Sequence, residues 1–513
     1  MKFTSLLLLS LVALVSCGSK EVEQVIETAG SEKPQEVEDT VVVEAPQTSY
    51  IPLDSIFKPI DTSFNHNTVL VPEGFNVQIL FTEKIDLVTK PDGSKHPAKG
   101  NHDMVAFLSD DFDENQGWLF VSHETKYADA NLGDGGGATM FHVAKGENQK
   151  WDITSDFEYV DFTTVGNTDR NCGGTVGPNG MIYSCEEYQP KDNASMYRKG
   201  KGHLKTDSVG NLDYWQNMGY VVEVDPKTKK ATQKMIAMGR CFHEDVEFLD
   251  DNKTVFLSDD FEPGVFFKFV ADEELDYSQG QLYAYQQLED GSGGNWLPLA
   301  RDTATMIRAR YAAIDLGATM FMRHEWFGRV GNKIYISETG HDETDWTHRV
   351  KQGGKISNGL KPFAEGNVIK DVHGRILVFD TETNKMSVHM ECGFSTDSAT
   401  VISNPDCVTP TVFGGRDCLI IHEDINWHDK GRVAAYASKK NKFYNELYVL
   451  DLTIENPTPN DVRRLAIAPM GAEFSGGVMS PDGSTLFINV MHPHSSNGKP
   501  YNRSTTIAIT GFK

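Results

Sequence analysis

No basic stretch runs anywhere along this sequence. Acids outnumber Lys plus Arg by 73 to 48, a formal net charge of −25 over 513 residues, so charge offers nothing to draw nucleic acid or an anionic membrane surface. Long hydrophobic runs are missing too: Leu6 to Val15 spans about ten residues, half of what a bilayer crossing needs. Cysteine is scarce, at seven. Setting Cys17 aside leaves six, of which Cys392, Cys407 and Cys418 lie close enough in sequence to predict a disulfide among them in an exported protein. The acid excess itself suits divalent cations or merely solubility, and composition does not choose between them.

What is present begins with a charged start, Met1-Lys2, a short apolar core and a small residue before Cys17. That is a secretory signal resembling a bacterial lipoprotein signal, with cleavage before Cys17 and lipid on its sulfur. It predicts a signal peptide over 1–16 and a lipid anchor to the bacterial outer membrane, at its periplasmic face or at the cell surface. Residues 17–60, acidic and poor in aromatics, read as a flexible tether. Residues 61–513 read as the folded domain, longer than one hydrophobic core usually supports.

One phrase recurs in that domain: a turn, alternating apolar residues, Ser or His, then an acid. Copies are Trp118 to Glu124, Met181 to Glu187, Val255 to Asp260, Ile334 to Glu338 and Leu419 to Asp424, while Leu486 to Asn489 keeps the strand and loses the acid. Strand-like copies about 60 to 85 residues apart are what a β-propeller with long inter-blade insertions leaves in sequence, each blade adding its own small core. Before each copy lies a second polar element: His102-Asp103, Asn171-Cys172, His243-Glu244, Arg323-His324-Glu325, Asn404-Pro405-Asp406 and Ala472-Glu473. Equivalent loop positions of a propeller converge on one end of its channel, so Asp103, Glu244, Glu325, Asp406 and Glu473 are expected to meet. Unpaired carboxylates in one funnel repel, and metal ions are the simplest remedy.

The dipeptide His-Glu starts at 123, 243, 324 and 422. Neighbours on a strand face opposite ways, so unless a bulge re-aims one of them, Glu is the expected ligand and His the packing partner. The same alternation puts Arg323 and Glu325 on one face, either a phosphate grip beside a metal or a structural ion pair. Cys185 stands in an apolar strand, where a thiol is usually inert, yet Glu186 and Glu187 follow it directly and ask for a positive neighbour. Arg301 to Ile314 predicts one helix of about four turns ending at Gly317, either an insertion that positions Arg323 or a surface-packing helix.

Asn171 to Gly174, Ser184 to Glu187, Gly239 to Glu244 and Arg323 to Glu325, with Gly471 to Gly476, Ser480 to Phe487 and Met491 to Pro493, resemble the PhoX-type alkaline phosphatase family in order and spacing. The resemblance runs from about residue 60 to the end. It implies an all-β fold, a six-bladed β-propeller with loop and short helical insertions. It implies a monomeric, calcium-dependent enzyme acting on small-molecule phosphomonoesters, with two ferric ions bridged by a thiolate and an oxo group beside two to three calcium ions. On this chain the resemblance makes Cys185 the thiolate, with Glu124, Glu186, Glu244 and Glu325 as further metal ligands and Asp406 and Glu473 on the calcium side. Arg323 would grip phosphate, with Asn171 as a second substrate contact; Arg323, Cys185 and Glu325 form the implied catalytic group. Pro178-Asn179-Gly180, Ser258-Asp259-Asp260, Asn404 to Cys407 and His422-Glu423-Asp424 depart from the family pattern, which bears on substrate choice. Two rivals stand beside this reading. A calcium-dependent esterase or phosphotriesterase propeller would not need Cys185, and a cell-surface binding propeller would hold calcium without turnover.

Overall fold

The computed structural model describes residues 51–512 except 62–65, 111–112, 134, 198–207, 341–353, 366–367, 398–400 and 426–443. The signal segment, Cys17 and most of the tether lie outside the described residues. The chain divides into Met1–Ser49 and Tyr50–Lys513, and the account below concerns the second unit. Among the described residues no helix is long and apolar enough to cross a membrane.

The architecture is all-β with few helices, and six antiparallel hairpins carry it. They are His102–Asp110 with Asp113–His123, Asn171–Val176 with Ile182–Glu186, and Val246–Phe248 with Thr254–Leu257. The remaining three are His324–Val330 with Lys333–Glu338, Pro405–Phe413 with Arg416–Glu423, and Glu473–Met479 with Thr485–Met491. Further strands extend each hairpin into a sheet of at least four, and the first strand of each hairpin is a sheet edge. Each of these edges touches the first strand of the next hairpin, and the sixth touches the first. The outer strand of the last sheet is Asn76–Thr82, paired with Thr505–Thr510, so the two ends of the described chain meet in one sheet.

The recurrent apolar phrase is the second strand of each hairpin, and burial on both faces explains its near-continuous apolar character. Leu119 and Val121 feed one core cluster while Phe120 feeds another; Val255 and Leu257 alternate with Phe256, and Leu419 and Ile421 with Ile420, in the same way. Each such side chain contributes roughly 1.5–3 kcal/mol by leaving water, and the cores between sheets hold the first strands in place.

Two expectations need correction. The 301–314 segment forms two short helices, Thr303–Ile307 and Ala309–Asp315, broken at Arg308 (φ −121°, ψ 33°). Asp302 caps the first through Thr305 N at 3.0 Å, and Gly317 ends the second at φ +89°. The break lets the fully buried Arg310 reach Asp259, Nε to Oδ2 2.6 Å, so this insertion braces the end of the third hairpin. The expected disulfide is also absent: Cys172, Cys185, Cys241, Cys392, Cys407 and Cys418 are all free thiols.

Candidate active site

At one end of the hairpins the chain makes the same turn repeatedly. The backbone N–H just past the second strand donates to the carbonyl just ahead of the first: Glu124 to Asn101, Glu187 to Arg170, Asp260 to Phe242, Thr339 to Arg323 and Asp424 to Asn404, at 2.8–3.1 Å. Asn101, Arg170, Arg323 and Asn404 adopt left-handed backbone at φ +50° to +57°. Asn tolerates that region; for Arg323 it costs on the order of 1–2 kcal/mol, strain of a kind that collects at functional sites.

The Ser of the recurrent phrase has a defined job. Ser122, Ser258 and Ser337 accept from the backbone N–H groups of Met104, Asp245 and Trp326 at 2.7–3.1 Å. Ser122 donates onward to the Cys172 carbonyl at 2.9 Å, Ser337 donates to the Asp406 carbonyl, and Asn489 in the sixth hairpin donates to that of Asp103. Register shifts sit at these positions in five of the six hairpins, between His102 and Val105, Ser184 and Glu186, His324 and Phe327, Pro405 and Val408, and Ser475 and Gly477. Bulges re-aim side chains, and here each bulge falls at the same inner position: Asp103, Cys172, Glu325, Asp406 and, in the sixth hairpin, Ser475, with Glu473 two residues ahead of it and paired with Met491.

The result is a cavity of about 720 Å³ lined by Asp103, Glu124, Glu187, Glu244, Asp260, Glu325, Asp406, Asp424 and Glu473, with Arg323 and His492 among them. Arg323 bonds Asp260 Oδ1 through Nε at 2.9 Å and Glu325 Oε1 through its terminal nitrogen at 2.7 Å. Glu325 also accepts from Thr339 Oγ1 at 2.9 Å. His492 Nε2 lies 3.6 Å from Glu124 and 3.8 Å from Glu473. Three sets of donor atoms fall within 4.8 Å of one another: Asp103 with Cys172 and Glu244, Glu187 with Glu244 and Asp260, and Glu244 with Glu325 and Asp406. Glu244 belongs to all three.

Electrostatics make this arrangement costly for the protein alone. Burial first, and then a neighbouring acid, pushes four carboxyls above their ordinary range: Glu124 acts on Asp103 and Glu187, Glu325 on Glu244, and Asp260 on Glu325. Glu473 rises the same way beside Asp424, and Asp406 is pushed up to about 8. Glu124 moves down instead, because His492 and Arg170 outweigh its burial. Burial and Glu244 push the Cys172 thiol well up. Bound cations reverse every one of these penalties, and the donor set of many carboxylates and one thiol fits hard cations beside a metal that accepts sulfur. Residues 151–494, more than half of the chain, match the family model described as alkaline phosphatase PhoX. The chain belongs to the PhoX family of alkaline phosphatases.

Among solved structures, Pseudomonas fluorescens PhoX in complex with vanadate, a transition state analogue, is similar at 20% identity and a TM-score of 0.66, covering 88% of this chain and 97% of that one. Trypanosoma rangeli sialidase in complex with the inhibitor DANA aligns at 10% identity and a TM-score of 0.39, over 86% of this chain and 60% of that one, too distant to carry an argument. No curated protein matches the sequence.

In this PhoX-family chain three expected site residues fall elsewhere. Cys185 and Cys172 share one apolar cluster with Tyr183 and Val221, but the sulfur that converges with the Asp103 and Glu244 carboxylates is that of Cys172, which occupies the inner position of the second hairpin. Glu186 pairs with Lys234 at 2.8 Å and accepts from Thr168 Oγ1 and the N–H groups of Asp169, Gly219 and Tyr220, leaving no lone pair for a metal. The next residue, Glu187, enters the cavity in its place. Asn171 accepts from Gly137 N at 2.8 Å and donates to Ser184 Oγ at 3.1 Å, fully buried and away from the cavity wall. By contrast Glu124, Glu244, Glu325, Asp406, Glu473 and Arg323 all line it.

Sequence reasoning did not name Glu187, Asp260, Asp424 or His492 as site residues. Part of the signal was available: in four of the six hairpins the residue directly after the second strand lines the cavity, namely Glu124, Glu187, Asp424 and His492. Asp424 shows this, facing the cavity while Glu423 accepts from Ser403 N and Glu446 N. The His of the His-Glu pairs are packing residues. His123 lies against Phe81 at 6.3 Å and bonds Thr139 Oγ1 at 2.9 Å, His324 stacks on Phe321 at 4.0 Å, and burial lowers His243 to about 4 and His422 to about 3.

Proposed function

We propose that this cavity hydrolyses small-molecule phosphomonoesters to inorganic phosphate with a mixed centre of two ferric and two to three calcium ions. The convergence of the Cys172 thiol with Asp103 and Glu244, two carboxylates that line the cavity, is the observation that carries this reading. Cys172, Asp103 and Glu244 would hold iron; Glu187, Asp260, Glu325, Asp406, Asp424 and Glu473 would hold calcium, and Glu244 would serve both. Such ions supply Lewis acidity toward phosphoryl oxygens and lower the pKa of bound water.

The chain's own residues do the rest. Arg323, fixed by its backbone turn and by Asp260, presents a guanidinium over the metal-binding floor, where it stabilises charge gathering on the transferring phosphoryl group. His492, between Glu124 and Glu473, is placed to pass a proton to a departing alkoxide through its imidazole Nε2. The calcium-only esterase reading leaves Cys172 beside two acids without purpose, which favours the phosphatase.

The cyclic contact of six edge strands, and the pairing of Asn76–Thr82 with Thr505–Thr510, support a closed six-bladed propeller. In this reading residues 61–513 form the catalytic domain, monomeric and carried on a tether from lipidated Cys17 at the outer membrane, facing the periplasm or the cell surface. Hydrolysis of p-nitrophenyl phosphate at alkaline pH by the full chain in detergent tests the activity. Turnover that a chelator abolishes and calcium restores is the expected result; a folded, iron- and calcium-loaded protein without turnover overturns it.

A further inference from the structure

The cavity is not walled by acids alone. One segment, 491–504, supplies Met491, His492, Pro493, Ser495, Asn502, Arg503 and Ser504 to the wall. Its backbone is pinned on both sides of Arg503. Arg503 N donates to Pro500 O at 3.0 Å, and Thr505 Oγ1 donates to Arg503 O at 3.0 Å. Ser504 exchanges with Glu83, donating to Oε2 at 3.3 Å and accepting from its N–H at 2.9 Å, and Ser504 Oγ accepts from Asn101 N at 3.0 Å. Further along, His494 N and Asn497 Nδ2 both bond Met470 O at 2.9 Å. A wall tied at this many points holds its backbone in place.

Arg503 is half-buried on that wall, and among the described residues its guanidinium makes no ion pair. The contrast with Arg323, which the same cavity locks between Asp260 and Glu325, is direct. A partly desolvated guanidinium normally finds a carboxylate or phosphate, and its planar fork is built for one. Acids are plentiful in this cavity, yet none of the three donor sets that converge on Glu244 includes a residue of the 491–504 segment. Lys126 lines the same cavity and also a second cavity of about 560 Å³, which shares Glu83, Asn101 and Lys126 with the first and gives a leaving group room to extend.

We propose that Arg503 is a specificity residue that binds a second anionic group carried by the leaving group, so that the preferred substrates are phosphomonoesters bearing a further phosphate or carboxylate. This rests on the phosphatase reading of the cavity. Arg323 holds the phosphoryl group being transferred, and Arg503 holds the anion at the far end of the same molecule.

The test compares kcat/KM for glycerol 3-phosphate with that for 3-phosphoglycerate and for a glycerol bisphosphate, in the full chain and in Arg503→Met and Arg503→Lys. A charge-assisted bond to the guanidinium predicts that the two anionic substrates are favoured by about tenfold or more. Arg503→Met should remove that preference mainly through KM, leave glycerol 3-phosphate unchanged and leave the melting temperature unchanged, since main-chain bonds hold the segment. Arg503→Lys should restore part of it. The relative rates on bisphosphate and carboxylate distinguish which anion is preferred. Equal loss on all three substrates would place Arg503 on the transferring phosphate and overturn the proposal, as would a wild-type chain that hydrolyses all three without preference. Failure to hydrolyse any of them would overturn the phosphatase reading, and this proposal with it.

Discussion

Stripping the protein of ions should make it lose stability as pH rises. Asp406 has a carboxyl pushed up to about 8 by burial and by Asp424, whereas an unfolded aspartate titrates near 3.9. The folded state therefore binds a proton that the unfolded state has released, so stability is greatest below the unfolded value and falls as pH climbs through 8. Between pH 6.5 and 8 this one group removes about 1.5 pH units' worth, roughly 2 kcal/mol. Unfolded histidines titrate near 6.5, so the opposing contribution of the buried histidines is spent by about pH 7.5 and the fall above that belongs to the carboxyls. Asp103, Glu187, Glu244, Glu325 and Glu473 shift the same way and add to the fall. Thermal melting of chelated protein from pH 6.5 to 9 should show a drop of several °C or more, since each kcal/mol is worth roughly 2–4 °C in a mid-sized domain and less in a larger one. Saturating calcium should raise the melting temperature at pH 9 and flatten the slope, adding about 2.7 kcal/mol at a hundredfold excess over Kd. A chelated protein whose melting temperature is level or rising over this range would refute the argument that the carboxylates need cations.

Cys172→Ser should strip iron and most activity from the protein, whereas Cys185→Ser should cost stability by burying a hydroxyl in apolar surroundings and leave turnover largely intact; metal analysis beside a phosphatase assay separates them. Glu186→Gln breaks a buried pair with Lys234 and should destabilise by about 3–5 kcal/mol in denaturant titration, while Glu187→Gln should abolish activity at little cost to the ion-free fold. On acidification the buried neutral histidines act in the other direction. His102 and His243 at about 4, and His324 and His422 at about 3, sit below the unfolded value, so the unfolded state gains protons first and stability is lost as pH falls from about 6.5 toward 4, followed by circular dichroism.

Hairpins were legible because each second strand is buried on both faces and reads as an apolar run between turns. The inner ring was legible for a related reason: Asp103, Glu244, Glu325, Asp406 and Glu473 stand where a loop hands over to an edge strand, and such positions share one end of the sheets. Cys172 holds the same position, but Cys185 drew attention because acids follow it directly. Glu186 and Glu187 show what sequence alone hides. The register shift between Ser184 and Glu186 decides which of the two stays in the sheet, and it depends on hydrogen bonds to Asp169, Gly219 and Tyr220, residues up to 34 positions away. The helical segment failed at Arg308 because tertiary pairing of Arg310 with Asp259 overrides an Ala-rich propensity.

The central claim is that the acidic cavity, with the Cys172 thiol beside Asp103 and Glu244, is a metal centre. Anomalous diffraction at the iron edge and at longer wavelength, from crystals of protein purified without chelators, tests it most directly. The account predicts iron density against Cys172, Asp103 and Glu244, and calcium density among Glu325, Asp406 and Glu473. An active protein whose anomalous peaks lie outside this cavity, or which shows none, would contradict it.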